Sequence, residues 1–342
     1  MQPLRVLVQG LGPIGARVAA LVHERPDLVL VAAVDVDPTK VGRPVGGLFP
    51  EPVAGGPVIE AALDSAIAAG APDVAIQCTG SRVPDVAGQL EALIAAGLPV
   101  ASSCEELLWP WLSHPDLAEA LDRAALARGV AVLGTGVNPG FVCDALPAFA
   151  SAVLTRVRGV RCERRLDAAT RREPFQRKIG AGLTVEEFTA LRDRGRLGHV
   201  GLRESIAMLG AALGFALDRI EEEVEPIVAD RHLRTEWLDV PAGRVAGLVD
   251  RGRGSEGGEV RVEVELRLHV GCADPADELH FDADPPLSVV LPGGTPGDGA
   301  TAAMLVHAAL RLGELRPGLR TMLDLPIPCL GRLADRGRDP KE

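Results

Sequence analysis

Glu105 and Glu106 stand directly behind a short apolar run, in Val100-Ala101-Ser102-Ser103-Cys104-Glu105-Glu106. A carboxylate at the end of a buried strand is costly unless it is paired or put to use. One of the two can favour the start of a helix beginning at Leu107, with Ser103 as its cap. The other can serve as a general base or stabilise a cation, and the sequence leaves open which does which. A second group, Gly134-Thr135-Gly136-Val137-Asn138-Pro139-Gly140-Phe141, follows the run that ends at Leu133. Its glycines and Pro139 build a tight loop in which Asn138 offers hydrogen bonds and Phe141 an apolar wall, unless the segment is only a turn. A third, Gly198-His199-Val200-Gly201, sets a lone histidine between glycines, as a substrate contact or as a loop residue. Cys104 and Cys143 raise a thiol nucleophile of the semialdehyde dehydrogenase kind, but neither has a histidine beside it. No His/carboxylate cluster has the spacing of metal ligands, so no metal is expected.

These groups need elements to carry them, and the first is explicit. Leu4 to Val8 reads as a buried strand, Gly10-Leu11-Gly12-Pro13-Ile14-Gly15 as a tight turn, and Ala16 to His23 as a helix. In that context Gly10 permits the turn, Gly12 lets a pyrophosphate approach the backbone, and Gly15 lets helix and strand pack closely. Pro13 and Ile14 of the turn are counted with the cofactor groups, and the N-terminus of the following helix meets the phosphate charge. Asp35 lies about twenty residues past Gly15, at the end of the next apolar run, where a carboxylate binds the adenosine ribose hydroxyls. The expected ligand is therefore NAD or NADP. Asp35 repels a 2′-phosphate and favours NAD, while Lys40 and Arg43 in the following loop soften that preference. Cys78-Thr79-Gly80-Ser81 ends a further strand, where such a fold meets the nicotinamide half of the dinucleotide or simply makes a polar loop. Asn138 is counted with the same cofactor groups.

Strand-like runs recur at Leu28 to Val34, Val74 to Gln77, Val100 to Ser102 and Val130 to Leu133, separated by helical segments at Ile59 to Ala69, Val83 to Ala96 and Leu117 to Arg128. This alternation predicts an α/β, doubly wound parallel sheet of the Rossmann type. After about residue 140 the pattern changes. Residues 155–180 alternate and are rich in Arg, 184–215 look helical, and 224–291 hold several alternating strands with glycine turns, such as Glu259-Val260-Arg261-Val262-Glu263-Val264. A second α+β domain with a mostly antiparallel sheet is expected there. An Ala-rich helix returns from Gly299 to Leu315, and the charged tail from Ala334 to Glu342 is expected to be disordered. The domains expected are 1–140, completed by a C-terminal helix in 299–333, for the dinucleotide, and 141–298 for substrate and dimerisation.

The 342 residues carry a formal net charge of −11, which argues against nucleic acid and anionic membranes as partners. No signal peptide is read at the start, and no apolar run is long enough to span a bilayer. Six cysteines are scattered without a Cys-x-x-Cys pair, a pattern of free thiols in a reducing cytoplasm. Lysine occurs only at 40, 178 and 341, and tyrosine is absent, so catalytic roles for either are nearly excluded. One face of an antiparallel sheet must be covered, and a homodimer through the second domain would cover it.

Several segments together resemble the 2,4-diaminopentanoate dehydrogenases and related NAD(P)-dependent amine dehydrogenases. They are Cys104 to Leu107, Gly134 to Phe141, Lys178 to Phe188, Gly198 to Ser205, Pro292 to Ala303 and Pro317 to Pro326, spread over nearly the whole chain. The architecture is similar to that of dihydrodipicolinate reductase and homoserine dehydrogenase. The paired histidines of the first and the strand-end lysine of the second are absent. The resemblance implies oxidative deamination of a primary amine to a ketone and ammonia, or the reverse. It also implies Glu105, then Glu106, as the catalytic carboxylate, and Phe141, His199 and Thr301 as pocket residues. A substrate carboxylate would fall to Arg164, Arg165, Gln176, Arg177 or Lys178, which otherwise form a solvated strand face. The alternatives are a reductase of an imine or semialdehyde, and a dinucleotide-binding redox sensor without turnover.

Overall fold

The computed structural model describes residues 2–330. The tail at 334–342 lies outside the described residues, as do 331–333. Two compact units are present, Met1–Phe141 with Pro296–Glu342, and Val142–Thr295. Among the described residues no helix is long and apolar enough to cross a membrane.

The first unit begins with β1 (Leu4–Gln9), α1 (Pro13–Glu24) and β2 (Leu28–Val34). It continues through β3 (Ile59–Glu60), α2 (Leu63–Gly70), β4 (Val74–Gln77), α3 (Val83–Ala95), β5 (Val100–Ser102), α4 (Pro115–Arg128) and β6 (Ala131–Gly134). The end of the chain returns to it as α9 (Gly297–Ala309) and β15 (Gly318–Arg320). The sheet order is β15-β6-β5-β4-β1-β2-β3, with every pairing parallel. Val6, Leu7 and Val8 are all fully buried, as a strand covered on both faces requires. Leu7, Ala75, Val100 and Val132 meet Val86, Leu90 and Leu93 of α3 and Leu121 of α4 in one apolar cluster. Helices α1 and α9 pack on each other and on the sheet. The strand order reverses between β1 and β4, and in such sheets the crevice for a ligand opens beyond the carboxyl ends of those strands.

Two expectations are corrected here. Ile59 and Glu60 are an edge strand rather than the start of a helix, because Ile59, wholly buried, pairs with Ala33 of β2. The C-terminal helix stops at Ala309 instead of running on to 315 or beyond. After a 3-10 turn at Leu312–Glu314 the chain adds β15 beside β6. Gly318, at φ +115°, makes the entry to that strand, a conformation that L side chains rarely adopt.

The second unit carries α5 (Ala145–Ala150), β7 (Arg156–Asp167), α6 (Glu173–Lys178), α7 (Val185–Arg192) and α8 (Leu202–Leu213). Then follow β8 (Arg219–Val228), β9 (Leu233–Arg234), β10 (Asp239–Val240), β11 (Val245–Glu256), β12 (Glu259–His269), β13 (Ala276–Asp284) and β14 (Leu287–Pro292). Its six-stranded sheet runs β14-β13-β7-β12-β11-β8, antiparallel except for the parallel pair β12 and β7. Helix α8 lies against one face. A Cβ on Gly252 would come within 2.4 Å of Ile206 Cδ1, and one on Gly254 within 2.7 Å of Ile206 Cγ2, so both glycines make room for the helix. Side chains from the intervening positions form ion pairs along the other face, among them Arg251 with Glu265, Arg253 with Glu263 and Arg165 with Glu278.

Candidate active site

The glycine turn after β1 fits a dinucleotide by its shape. Gly10 has φ +85°, and a Cβ there would lie 2.6 Å from the carbonyl oxygen of Cys78 at the end of β4. A Cβ on Gly15 would lie 1.8 Å from Gly10 O, so strand and helix could not close on any larger residue. Beside Gly12 the same test meets nothing within 4 Å, which leaves the backbone open to a ligand. Pro13 is the first residue of α1, whose first-turn N–H groups have no acidic side chain against them. Two buried polar atoms at this sheet edge, Gln9 Oε1 and Thr135 Oγ1, lack a hydrogen-bond partner among the described residues.

Asp35, directly after β2, is 9% exposed. Its Oδ2 accepts from Leu11 N at 2.8 Å and from Lys40 Nζ at 3.0 Å, and its Oδ1 accepts from Asp37 N at 2.9 Å. Burial opposes ionisation of this acid, but the three donors outweigh it and hold the carboxyl below its ordinary value. The carboxylate is thus anchored beside the glycine turn with a lysine already paired to it.

At the ends of β4 and β5 the buried Gln77 ties the strands together. Its amide nitrogen donates to Thr79 Oγ1 at 2.9 Å, and its oxygen accepts from Ser102 Oγ. Thr79 donates in turn to Gln89 of α3. Burial pushes the Cys78 thiol up to about 12, against a smaller opposing hydrogen bond with Ser103. A Cβ on Gly80 would meet Val86 at 2.9 Å.

Glu105 and Glu106 open a 3-10 turn, Glu105–Leu108, immediately beyond β5. Glu106 is 5% exposed and committed. It accepts from Arg82 Nη1 at 3.0 Å and from Val83 N, the first residue of α3, at 2.9 Å, and it pairs with His114 Nε2 at 2.9 Å. Neither Arg82 nor His114 was singled out from the sequence, because nothing in their spacing marks them as partners of Glu106. Glu105 is half-buried at the head of the turn. Trp109 and Trp111 follow it and pack edge to face, with ring centroids 5.6 Å apart. The thiol reading does not survive. Cys104 is pushed up to about 12, first by burial, and burial raises Cys143 as well, so neither supplies a thiolate near neutral pH.

The loop after β6 is built as tightly as its glycines suggest. A Cβ on Gly134 would lie 2.5 Å from the backbone of Leu107, and Gly140 adopts φ +124° with its Cβ position 2.3 Å from Gly136 N. Thr301 of α9 meets this loop, accepting from Val137 N at 3.3 Å. Asn138, Phe141 and Thr301 therefore belong with Glu105 in the first unit.

His199 belongs to the second unit, in the loop between α7 and α8, where its N–H donates to Asp250 Oδ2 at 2.6 Å. Of the candidates for a substrate carboxylate, Arg164 is 5% exposed, donates to Thr295 O and lies 3.6 Å from Asp277. Arg165 is held by Glu163 and Glu278 on the open sheet face, and Arg177 pairs with Glu173 within α6. Gln176, fully buried, joins the carbonyls of Ala169 and Arg171 to Thr235. Lys178 is exposed. Asp250 and its neighbour Glu222 escaped sequence reading altogether.

Comparison with known proteins bears on this arrangement. A family model described as the 2,4-diaminopentanoate dehydrogenase C-terminal domain matches residues 141–336. The chain is 31% identical to a 2,4-diaminopentanoate dehydrogenase from Acetoanaerobium sticklandii, over 96% of this chain and 95% of that one. It is 26% identical to an amine dehydrogenase from Streptomyces virginiae, over 96% and 98%. A solved amine dehydrogenase from Mycobacterium smegmatis superposes with a TM-score of 0.83 at 25% identity, covering 95% of this chain and 97% of the other.

Proposed function

The chain belongs to the 2,4-diaminopentanoate dehydrogenase family, and from that premise we propose that it deaminates a primary amine oxidatively to a ketone and ammonia, or runs the reverse reductive amination. It is an NAD(P)-dependent oxidoreductase. The substrate proposed is an amine of the 2,4-diaminopentanoate type. The observation that carries the reading is the division of labour at the end of β5: Glu106 is spent on Arg82, Val83 N–H and His114. Glu105, half-buried at the head of the same turn and implied first by the family resemblance, is the carboxylate assigned to the chemistry.

Gly10, Gly12, Pro13, Ile14 and Gly15 would hold the pyrophosphate, Asp35 the adenosine ribose, and the backbone at Cys78, Thr79, Gly80 and Asn138 the nicotinamide half. When bound, the nicotinamide supplies an acceptor for the hydride that leaves the amine-bearing carbon. The carbon left behind is an iminium cation, and a carboxylate is the side chain suited to stabilise it. Glu105 then takes a proton from water as the water oxygen attacks that carbon, giving a carbinolamine. Return of that proton to nitrogen makes ammonia the leaving group, and as the C–N bond breaks Glu105 takes the hydroxyl proton, leaving the ketone. Phe141, His199 and Thr301, implied by the family resemblance, are the proposed substrate contacts.

Asp35 favours NAD, moderated by Lys40. The first unit is assigned to the dinucleotide and the second to substrate and to self-association. The ion-paired face of the six-stranded sheet is the surface proposed for a homodimer, and a reducing cytoplasm suits the unpaired cysteines.

The test follows NADH and NADPH oxidation with 2-amino-4-oxopentanoate and a panel of small ketones and aldehydes, with and without ammonium, for the wild type and Glu105→Gln. Oxidation that requires ammonium and is lost in the variant supports the reading. Oxidation indifferent to ammonium moves the protein to the reductases, and cofactor binding without turnover moves it to the sensors.

A further inference from the structure

Asp250 of β11 is fully buried, yet it is poorly supplied with donors. Its Oδ2 accepts one N–H, from His199, and its Oδ1 has no hydrogen-bond partner among the described residues. The group it faces is another acid, Glu222 of β8. Gly198, at φ +117°, sits where the two carboxyls meet, since a Cβ on it would lie 3.4 Å from both Asp250 Oδ2 and Glu222 Oε1. Asp250 stands opposite Val224 of β8 and Leu266 of β12. Helix α8, whose own buried acid is Glu204, sets Leu202 and Ile206 against the neighbouring Gly252. Among the described residues, the groups that bear on Asp250 are the Glu222 carboxyl from β8 and, through its backbone N–H, His199 from the loop.

We propose that Asp250 and Glu222 share one proton and together act as a positioning pair, which fixes the Gly198–Gly201 loop, and with it His199, only while that proton is present. A neutral acid beside a carboxylate makes a strong hydrogen bond, and the arrangement leaves Asp250 able to accept from His199 N–H. With the proton gone, two negative charges converge on Gly198, one of them on the fully buried Asp250. Glu222 is exposed, so the strain is relieved by swinging it outward and giving up the loop. Burial first, and then the charge of Glu222, push Asp250 up to about 8, with the His199 N–H opposing. The release therefore falls at mildly alkaline pH.

Placing this pair in catalysis rests on the reading of His199 as a substrate contact, but the loop can be followed in the free protein. Amide hydrogen exchange of the 196–201 segment, corrected for the intrinsic rate at each pH, is compared at pH 6.5 and pH 9.5 for the wild type, Asp250→Asn and Glu222→Gln. The wild type is expected to lose at least tenfold in protection at the higher pH, while both variants, which cannot hold two charges there, keep it. Glu222→Gln alters an exposed residue and preserves the test if Asp250→Asn fails to fold. Protection independent of pH in the wild type, or lost alike in the variants, overturns the proposal. A steady-state profile then separates it from the functional reading. A KM that rises above pH 8 in the wild type and stays flat in Glu222→Gln, with kcat little changed, supports the link to substrate. PH-dependent exchange without any KM effect removes His199 from the pocket and leaves the latch standing.

Discussion

Asp35 and Glu106 in the first unit and Asp250 in the second are buried in opposite ways. In the first, Asp35 and Glu106 each receive three donors: Leu11 N, Asp37 N and Lys40 for one, Arg82, Val83 N and His114 for the other. In the second, Asp250 receives a single N–H and looks at a second carboxyl. Asp250 is the more deeply buried, and that burial together with the facing carboxyl raises it far above its ordinary value, while the donors around Asp35 outweigh its burial and hold it below. The sheet edge of the first unit thus surrounds its buried acids with donors. Around Asp250 in the second, the surroundings keep charge out.

If that contrast is right, Glu105 works as an anion, and Glu105→Gln has the largest effect. A positioned general base contributes roughly 10²- to 10⁴-fold. The variant should lose that much in kcat and kcat/KM, with the dissociation constant for NADH, read by fluorescence titration, changed less than about threefold. A variant that keeps a tenth of wild-type kcat would take Glu105 out of the chemistry.

The neighbouring Glu106→Gln should do the reverse. It leaves Arg82 and Val83 N–H facing an amide, and removing one partner of such a buried, hydrogen-bonded group costs about 1–3 kcal/mol. Arg82 is exposed and can turn to water, which favours the lower end of that range. Denaturant unfolding should therefore show a loss of stability, while kcat per folded molecule stays within about threefold of the wild type. Equal catalytic losses at 105 and 106 would erase the distinction between the two glutamates.

Part of this was legible in the sequence. The turn from Gly10 to Gly15 and the carboxylate at Asp35 are local, because each glycine answers to a backbone contact a few residues or one strand away. The strand-end placement of Glu105 and Glu106 is local too. What the sequence could not decide was which glutamate is spent, since Arg82 lies 24 residues and His114 eight residues from Glu106, each fixed only when α3 and α4 pack. The same limit hid Ile59–Glu60 and Gly318–Arg320. Strands of two or three residues have no periodicity of their own and exist because β2 and β6 offer them an edge. Asp250 looked like one more polar position in an alternating strand, and only the register with β8 brings Glu222 to it.

Asp250→Asn tests the other side of the contrast through stability alone. The folded protein holds a proton on Asp250 up to about pH 8, whereas the unfolded chain gives it up near the ordinary value of 3.8. Between those limits the folded state binds more protons, so this group makes stability fall as pH rises, with a ceiling of about 1.4 kcal/mol per pH unit. The variant lacks that term. Its Tm relative to the wild type should climb steadily between pH 5 and pH 8 and level off above. A constant difference across that window would mean that Asp250 is already ionised.

The smallest effect expected is at Lys40, and it probes how fully the first region neutralises its acids. Lys40 Nζ lies 3.0 Å from Asp35 and 3.6 Å from Asp37 and is partly exposed, so it is a screened but available cation. A 2′-phosphate brought to Asp35 meets repulsion from the carboxylate and attraction from this ammonium, and the second is what Lys40→Met removes. The substitution also leaves Asp35 without its counter-ion, which adds to the repulsion. Binding of 2′,5′-ADP, measured by calorimetry, should weaken by roughly three- to tenfold, while ADP, which lacks the 2′-phosphate, should change less than about twofold. Both changes should fade as salt is raised toward 1 M, because the interaction is between exposed charges. Equal weakening of the two ligands would show that Lys40 only holds its loop in place, and the proposed preference for NAD would then rest on Asp35 alone.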